Sequence, residues 1–492
     1  MGLSLSRKGV NSVTTAVILP SASEPNHSSP ATIAAIATPL GRGGVGVIRL
    51  SGSKAYAIAC QLTGKSVFTP RLAHFCRFYA ADGTVIDEGL VLYFRAPHSF
   101  TGEDVIELQG HGGMILQSLL LTRTFELGAK QATAGEFSYR AFDNDKLDLV
   151  QAEAIADAID ATSAAAATSA IRSLSGEFSA KINQLLEQLI HLRLHVEAAI
   201  DFPEEEGVDF LSDGVIQHKL EQTQAQIQQV LATAKQGQLL RDGIHVVLAG
   251  RPNAGKSSLL NRLAGQERAI VTEVAGTTRD TLQETVVLKG LTLHLTDTAG
   301  LRETEDRVER IGIARARTAI TQADMLLLVY DVTRDVEGGS TPLQLAEQLF
   351  GALPSTARLL LIANKSDLLH QSTLLNDTDN QTEGLQHYHG YEQVNVSCET
   401  GAGIEDLITA LCAKVGFHPP ENSLIARTRH LDALRRTADY LEEAHEQLTV
   451  FQAGELVADS LRQAQQSLGE ITGTFSADDL LGKIFGSFCI GK

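Results

Sequence analysis

The sequence predicts a multidomain fold: an α+β domain at the N-terminus, a discontinuous α-helical bundle, and an α/β domain of the phosphate-loop type inserted into that bundle. Three observations predict it. Apolar runs between Ile244 and Val394 have the length and continuity of buried parallel strands, and most lead into a glycine-, aspartate- or asparagine-bearing motif. Apolar residues three and four apart fill both flanks of that block, from Lys146 to about Leu240 and from Leu424 to about Leu468. Ahead of them, short strand-like runs alternate with helical ones from Ala31 to about Asp145. A chain of 492 residues has room for about three such domains.

Taken in order, residues 1–29 are Ser-rich, carry Arg7 and Lys8, and show no acid before Glu24. They lack an amphipathic helix, so they read as a disordered extension or a misplaced start codon in preference to a targeting segment. The first domain, 30–145, has strands at Gly46 to Leu50, Gly89 to Phe94 and Asp104 to Leu108, with helices from Ser53 to Thr63 and Gly112 to Leu127. Gly41-Arg-Gly-Gly-Val-Gly46 fits a dinucleotide-binding fingerprint, but a strand follows it and no acid occurs before Asp82 to hold a ribose, so that reading fails. Gly64-Lys65-Ser66 lacks the leading glycine of a phosphate loop. The helical domain's first part, 146–240, places Ile155 and Ile159 four apart and continues an apolar face through Ile182, Leu185, Leu186 and Leu189. Asp201-Phe-Pro-Glu-Glu-Glu-Gly breaks the run, and its carboxylates face water. The inserted domain spans 243–415 and the second helical part 420–492. The insert's ends, near Arg241 and Pro419, should lie close together, as insertions into a folded domain require.

The insert carries the chemistry. Gly250-Arg-Pro-Asn-Ala-Gly-Lys256-Ser257 has the G-x-x-x-x-G-K-S spacing in which backbone N–H groups cradle phosphate oxygens, the lysine reaches the outer phosphates and the serine hydroxyl ligates Mg²⁺. It lies between an apolar strand starting at Ile244 and a helix over Ser257 to Ala264 whose N-terminus faces the anion. Leu291 to Asp297 alternates as a strand and delivers Asp297-Thr298-Ala299-Gly300, the aspartate facing the metal and Gly300 closing on the γ-phosphate. Met325 to Tyr330 and Leu359 to Ala363 are further buried strands. The second runs into Asn364-Lys365-Ser366-Asp367, where a carboxylate accepts two hydrogens that guanine offers and adenine does not. Val394 to Thr400 is the last strand, with Ser397 at the edge of the base pocket. Three motifs in this order, each after its strand, predict GTP and exclude ATP.

Leu301 stands where simple switch GTPases carry the glutamine that orients the attacking water. Another group must place that water. The following Glu303, Glu305, Asp306 and Glu309 are candidates, or simply a solvated helix face. Asn253 within the phosphate loop either binds a monovalent cation beside the β- and γ-phosphates or stabilises a turn. Thr272-Glu-Val-Ala-Gly-Thr-Thr278 could supply a second Mg²⁺ ligand and carbonyls for that cation. Composition sets further bounds. No run approaches about 18 apolar residues, so nothing reads as a membrane span. Cysteines 60, 76, 398, 412 and 489 form no C-x-x-C pair, which argues for a reducing compartment and against structural zinc. A formal charge of −18 is the wrong sign for holding RNA by its phosphates alone, so RNA would need a local patch or a basic partner.

Long strings far apart in the chain resemble one family: Pro39 to Gly46, Ser99-Phe-Thr-Gly-Glu-Asp-Val-Ile-Glu-Leu-Gln-Gly-His-Gly-Gly113, Gly135-Glu-Phe-Ser138, Asn144 to Leu149, Gln151-Ala-Glu-Ala-Ile155, Gly276-Thr-Thr-Arg-Asp280, Asp297 to Glu303, and the closing Phe488-Cys-Ile-Gly-Lys492. From about residue 31 onward the chain is similar to the tRNA uridine-5-carboxymethylaminomethyl modification GTPases, the MnmE (TrmE) family. The N-terminal extension is the main departure.

The resemblance implies a folate-binding and dimerising N-terminal domain, a helical domain of two segments and an inserted Ras-like G domain. It implies a tetrahydrofolate derivative (5-formyl- or 5,10-methylene-) bound by Arg49, Glu107, Lys146 and Lys492; a carboxylate can read the pterin's amino-oxo edge, and the glutamyl tail calls for Arg or Lys. In the G domain it implies GTP contacts from Asn253, Ala254, Gly255, Lys256, Ser257 and Ser258, from Thr272, Glu273, Val274, Ala275, Gly276, Thr277 and Thr278, from Asp297, Thr298, Ala299 and Gly300, and from Asn364, Lys365, Ser366, Asp367 and Ser397. Mg²⁺ falls to Ser257 and Thr278, and K⁺ to Asn253, Thr272, Val274 and Thr277. Water positioning falls to Glu309. Cys489 is either a thiol near the one-carbon site or a buried small hydrophobe. The family's activity is GTP hydrolysis coupled to addition of aminomethyl or carboxymethylaminomethyl groups at C5 of the tRNA wobble uridine (U34). It works in the cytoplasm as a homodimer, in a heterotetramer or larger complex with an FAD-containing MnmG-like protein that makes most of the tRNA contact. The alternative is a regulatory GTPase switch in ribosome assembly without modification chemistry, though such factors append a basic module that these acidic flanks lack.

Overall fold

A computed structural model describes residues 30–39, 41–201, 214–265, 283–297, 319–334, 341–356, 358–368, 385–418, 423–474 and 478–491. Residues 30–133 with Gly491 form one compact unit, and residues 134–490 form another.

The first unit is α+β. Its sheet has the order β3-β4-β5-β2-β1-β6, built from β1 (Ile33–Ile36), β2 (Gly43–Ser51), β3 (His74–Tyr79), β4 (Val85–Phe94), β5 (Val105–Gly112) and β6 (Lys130–Gln131). All neighbours are antiparallel except β1 and β6. Alternate residues of strands β2 to β5 (Ile48, Leu50, Phe78, Val91, Ile106, Leu108) turn to one face, where helices Ala55–Thr63 and Met114–Glu126 cover them with Ile58, Leu62 and Leu120. The Gly41 to Gly46 string opens β2, a strand, as its rejection as a dinucleotide site requires.

In the second unit, helices Glu177–Asp201, Val215–Asp242, Thr428–Glu446 and Gly454–Thr472 form a bundle in which each helix packs on two others. Its core joins Ile182, Leu189, Leu192 and Val196 to Leu220 and Ile227, and to Leu434, Leu441, Leu461 and Leu468 from the far end of the chain. The two separated apolar stretches therefore share one interior. Helix Leu149–Asp160 begins with a capping box, in which the Asp148 side chain accepts from the Gln151 N–H at 2.8 Å and the Gln151 amide oxygen accepts from the Asp148 N–H at 3.0 Å. Helix Glu136–Asp143 packs with this helix and with helix Asp478–Gly486, around a satellite cluster of Leu149, Ala152, Ile484, Phe485 and Phe488. No described helix is long and apolar enough to cross a membrane.

The inserted domain is a sheet of order β12-β13-β11-β10-β7-β9-β8: β7 (Ile244–Ala249), β8 (Gln283–Leu288), β9 (Leu291–Asp297), β10 (Met325–Asp331), β11 (Leu359–Asn364), β12 (Leu385–Tyr388) and β13 (Tyr391–Val396). Strands from β13 to β9 are parallel, and β8 and β12 add antiparallel edges. Helices Lys256–Ala264 and Ile404–Lys414 bury one face, and helix Pro342–Phe350 the other. Both faces being covered explains why β10 and β11 are apolar at nearly every position. The strand expected from Val394 starts at Tyr391 and stops before Ser397.

The insert joins the bundle where the sequence requires. The Gln236 side-chain amide donates to the Gly416 carbonyl at 2.7 Å, and its oxygen accepts from the His418 N–H at 2.8 Å. Asp157 bonds Arg241 at 2.7 Å, just ahead of β7, and Arg427 at 2.7 Å, just behind the insert. The chain's two crossings thus lie side by side.

Candidate functional site

The nucleotide-binding motifs gather at the carboxyl ends of β7, β9 and β11, where open α/β sheets bind ligands. The phosphate loop leaves β7 at Gly250. A Cβ there would lie 2.1 Å from the Val329 carbonyl oxygen, so only glycine lets the loop pass β10 this closely. At Gly255 φ is 99° and a Cβ would lie 2.0 Å from the Asn364 amide nitrogen. Asn253 adopts φ 64°, a left-handed conformation that asparagine tolerates better than most residues, as the turn reading expects, and it also lines the cleft. Lys256 is buried, and its ammonium donates to the carbonyls of Gly250 at 2.8 Å and Arg251 at 3.0 Å while the residue lines the cleft. Ser257 opens helix Lys256–Ala264 and lines the cleft, with the helix N-terminus directed at the loop.

Buried Asn364 ties this loop to the base side. Its amide donates to the Ala254 carbonyl at 2.8 Å, and its oxygen accepts from the Cys398 N–H at 3.2 Å. Lys365, at φ 65°, turns its ammonium onto Asp331 at 2.5 Å. Burial pushes the Asp331 carboxyl up, but Lys365 and the Thr333 hydroxyl and N–H outweigh it and hold the group below the usual carboxylate range. Asp367 lies in the turn Ser366–Leu368, exposed to the cleft. Ser397 is fully buried and its hydroxyl accepts from the Thr400 N–H at 3.2 Å, so it shapes the loop from beneath while Cys398 and Glu399 line the cleft. The cleft between phosphate and base loops measures about 910 Å³, room for a nucleoside triphosphate.

The sequence compares with known proteins over almost its whole length. A family model described as the GTP-binding protein TrmE N-terminus matches residues 32–146, and one described as the MnmE helical domain matches residues 149–489. A protein named tRNA modification GTPase MnmE from Psychrobacter arcticus is 84% identical over 95% of this chain and 98% of its own length. Proteins of the same name are 62% identical in Acinetobacter baumannii, covering 95% and 100%, and 54% identical in Pseudomonas aeruginosa, covering 94% and 99%. The chain belongs to the MnmE family. The G domain of the T. maritima FeoB iron transporter matches 35% of this MnmE-family chain and 98% of itself at 25% identity, with a TM-score of 0.23 too low to bear on function.

Of the site residues expected for an MnmE-family GTPase, the first and third motifs lie together at the cleft. Asp297 ends β9 in register with Leu248 of β7, which brings its backbone beside the phosphate loop. Thr272, Glu273, Val274, Ala275, Gly276, Thr277, Thr278, Thr298, Ala299, Gly300, Leu301, Glu303, Glu305, Asp306, Glu309 and Lys492 lie outside the described residues. In the first unit, Arg49 of β2 and Glu107 of β5 are cross-strand partners, bonded through Nη2 at 2.9 Å and Nε at 3.1 Å to one carboxylate oxygen. The Phe100 ring sits 5.5 Å from the Arg49 guanidinium carbon. The two charges pair with each other on the sheet. Lys146 is exposed in the second unit, after helix Glu136–Asp143. Cys489 is exposed, because its neighbour Phe488 takes the inward position. This corrects the reading of Cys489 as a buried hydrophobe.

Sequence reasoning missed Cys398 and Glu399 as lining residues. It also missed Arg262, whose guanidinium donates from Nε to the Cys398 carbonyl at 3.3 Å and from Nη2 to the Glu399 carbonyl at 2.6 Å. A polar residue in the second turn of a helix gives no sequence signal of such a contact.

Proposed function

We propose that this chain is the GTP-hydrolysing component of the tRNA U34 C5 modification system, adding aminomethyl or carboxymethylaminomethyl groups with a one-carbon unit from a tetrahydrofolate. The observation that carries the reading is the Asn364 staple, which holds a phosphate loop and a guanine-reading loop at one cleft in a chain 84% identical to a tRNA modification GTPase. The loop N–H groups bind phosphate oxygens and Lys256 supplies positive charge beside them. Asp367 accepts from the base, and buried Asn364 fixes the distance between the two ends.

The Ser257 hydroxyl at a helix N-terminus in this cleft suits Mg²⁺, with Thr278 as the second ligand. The Asn253 amide suits K⁺, with Thr272, Val274 and Thr277. When bound, these ions supply charge neutralisation for phosphoryl transfer. Leu301 cannot hold the attacking water, and Glu309 takes that role. The Arg49–Glu107 pair under Phe100 offers a carboxylate, a guanidinium and a ring face, which suit the amino-oxo edge of a pterin; Lys146 and Lys492 suit its acidic tail. With a formal charge of −18, the chain works in the cytoplasm as a homodimer that leaves most tRNA contact and the flavin chemistry to an FAD-containing MnmG-like partner. The test is GTP turnover in KCl against NaCl, together with mass spectrometry of wobble uridines from cells lacking the chain. Turnover should be fast in K⁺, slow in Na⁺ and nearly absent in Glu309→Ala with GTP still bound, and the C5 substituent should vanish. Equal rates in both salts would remove the K⁺ role, and intact wobble uridines would remove the modification role.

A further inference from the structure

Arg262 belongs to the helix that follows the phosphate loop, yet both its hydrogen bonds go to the loop at the base end of the cleft. That loop has little freedom left. The Cys398 N–H is held by Asn364, the Thr400 N–H by the Ser397 hydroxyl at 3.2 Å, and the Gly401 N–H by the Ser397 carbonyl at 2.8 Å. Gly401 turns at φ 89° with the Arg262 guanidinium carbon 3.4 Å from where a Cβ would stand, so the arginine is packed into the loop's inner side. A trans peptide sets its carbonyl and its N–H on opposite sides. With the Cys398 carbonyl drawn toward Arg262, the Glu399 N–H of the same peptide faces the other way, and Cys398 and Glu399 line the cleft. Guanine presents a carbonyl oxygen, O6, that accepts from such an N–H; adenine presents an amine there.

We infer that Arg262 is a positioning residue for base recognition: by holding the Cys398 and Glu399 carbonyls it aims the intervening N–H at the O6 of guanine, complementing the readout of N1 and the amine by Asp367. The inference rests on the reading of this cleft as the guanine-nucleotide site. It also means that the helix anchoring the phosphates and the loop reading the base are one mechanical piece.

The test is displacement of a fluorescent GDP by three competitors: GDP, IDP (which keeps O6 but lacks the amine) and 2-aminopurine riboside diphosphate (which keeps the amine but lacks both O6 and the N1 hydrogen). They are titrated against the full-length wild type, Arg262→Gln and Arg262→Lys. In R262Q, GDP and IDP should both weaken about tenfold, the loss of one well-placed hydrogen bond, while the 2-aminopurine nucleotide shifts less than about twofold. The GDP preference over that analogue then narrows while the GDP-to-IDP ratio stays fixed. R262K, which keeps a charged donor, should recover part of the preference. If all three competitors weaken by one common factor, or none does, Arg262 only supports the helix and the inference is overturned. Should R262Q fail to fold, the same ratios in R262K decide. A wild type that does not prefer GDP to IDP or to the analogue would overturn the guanine-site reading first, and the role of Arg262 with it.

Discussion

Replacing Glu153 by Gln should loosen the helical bundle more than any single surface change. The Glu153 side chain is 1% exposed, and its carboxylate accepts from Arg429 at 2.8 and 2.6 Å and from His430 at 2.9 Å, with Arg427 at 3.7 Å. Burial pushes this carboxyl up, but His430 and Arg429 outweigh it and hold the group well below the usual range, so it is ionised. His430 Nδ1 accepts from the Arg427 N–H at 3.1 Å, which assigns the ring proton to Nε2, where it meets Glu153. Gln removes the negative charge and sets an amide hydrogen against either a guanidinium or the imidazole N–H. Breaking a buried ion pair from one side costs about 3–5 kcal/mol. Arg427 and Arg429 keep side-chain exposures of 14% and 19% and can draw partly on water, which favours the lower end. A loss of about 3 kcal/mol at a slope of about 2 kcal/mol per M moves the urea midpoint of the helical transition down by about 1.5 M. Far-UV circular dichroism reads it, since the helices dominate that signal. An E153Q midpoint within about 0.3 M of wild type would refute the reasoning, and a double-mutant cycle with Arg429→Met would show whether the pair or the cavity carries the cost.

Acid should weaken the same bundle in two steps. Burial first, and then Arg429, hold His430 below its ordinary 6.5, so as pH drops below about 6.5 the unfolded chain takes a proton that the folded chain refuses, and stability falls. Below about 4.5 the unfolded glutamate protonates while folded Glu153 stays charged, which adds a second loss; urea midpoints against pH should show both, and His430→Asn should remove the upper one and shrink the lower, since His430 helps hold Glu153 ionised. Asn364→Ala leaves the buried Ala254 carbonyl and Cys398 N–H unpaired, which should weaken GDP binding by roughly 10- to 100-fold in a fluorescent-nucleotide titration, whereas unchanged affinity would show that the two loops hold their spacing without it.

The inserted domain was the most legible part. Strands buried on both faces must be apolar throughout, and Met325–Asp331 and Leu359–Asn364 announce themselves for that reason. Its antiparallel edges were silent: Leu385–Tyr388 is four residues with two polar ones, and an edge strand needs no continuous apolar run. Helix Glu136–Asp143 lies within the 30–145 span, and the family model of that domain runs to residue 146, yet its ring contacts, Tyr139 and Phe142 against Phe485, lie with the C-terminal helix, a partner more than three hundred residues away in sequence. The Arg49–Glu107 pairing was hidden for a similar reason. The sequence shows two charges 58 positions apart, and only the register of β2 on β5 makes them neighbours. Arg262 lay beyond any pattern argument, since its partners are carbonyls, which every residue has.

One carboxylate, Asp157, touches the chain both where it departs for the nucleotide domain and where it returns. A module whose two chain crossings lie side by side can be inserted without prising its host apart. A short bridge from Arg241 to Arg427 would close the bundle without the insert.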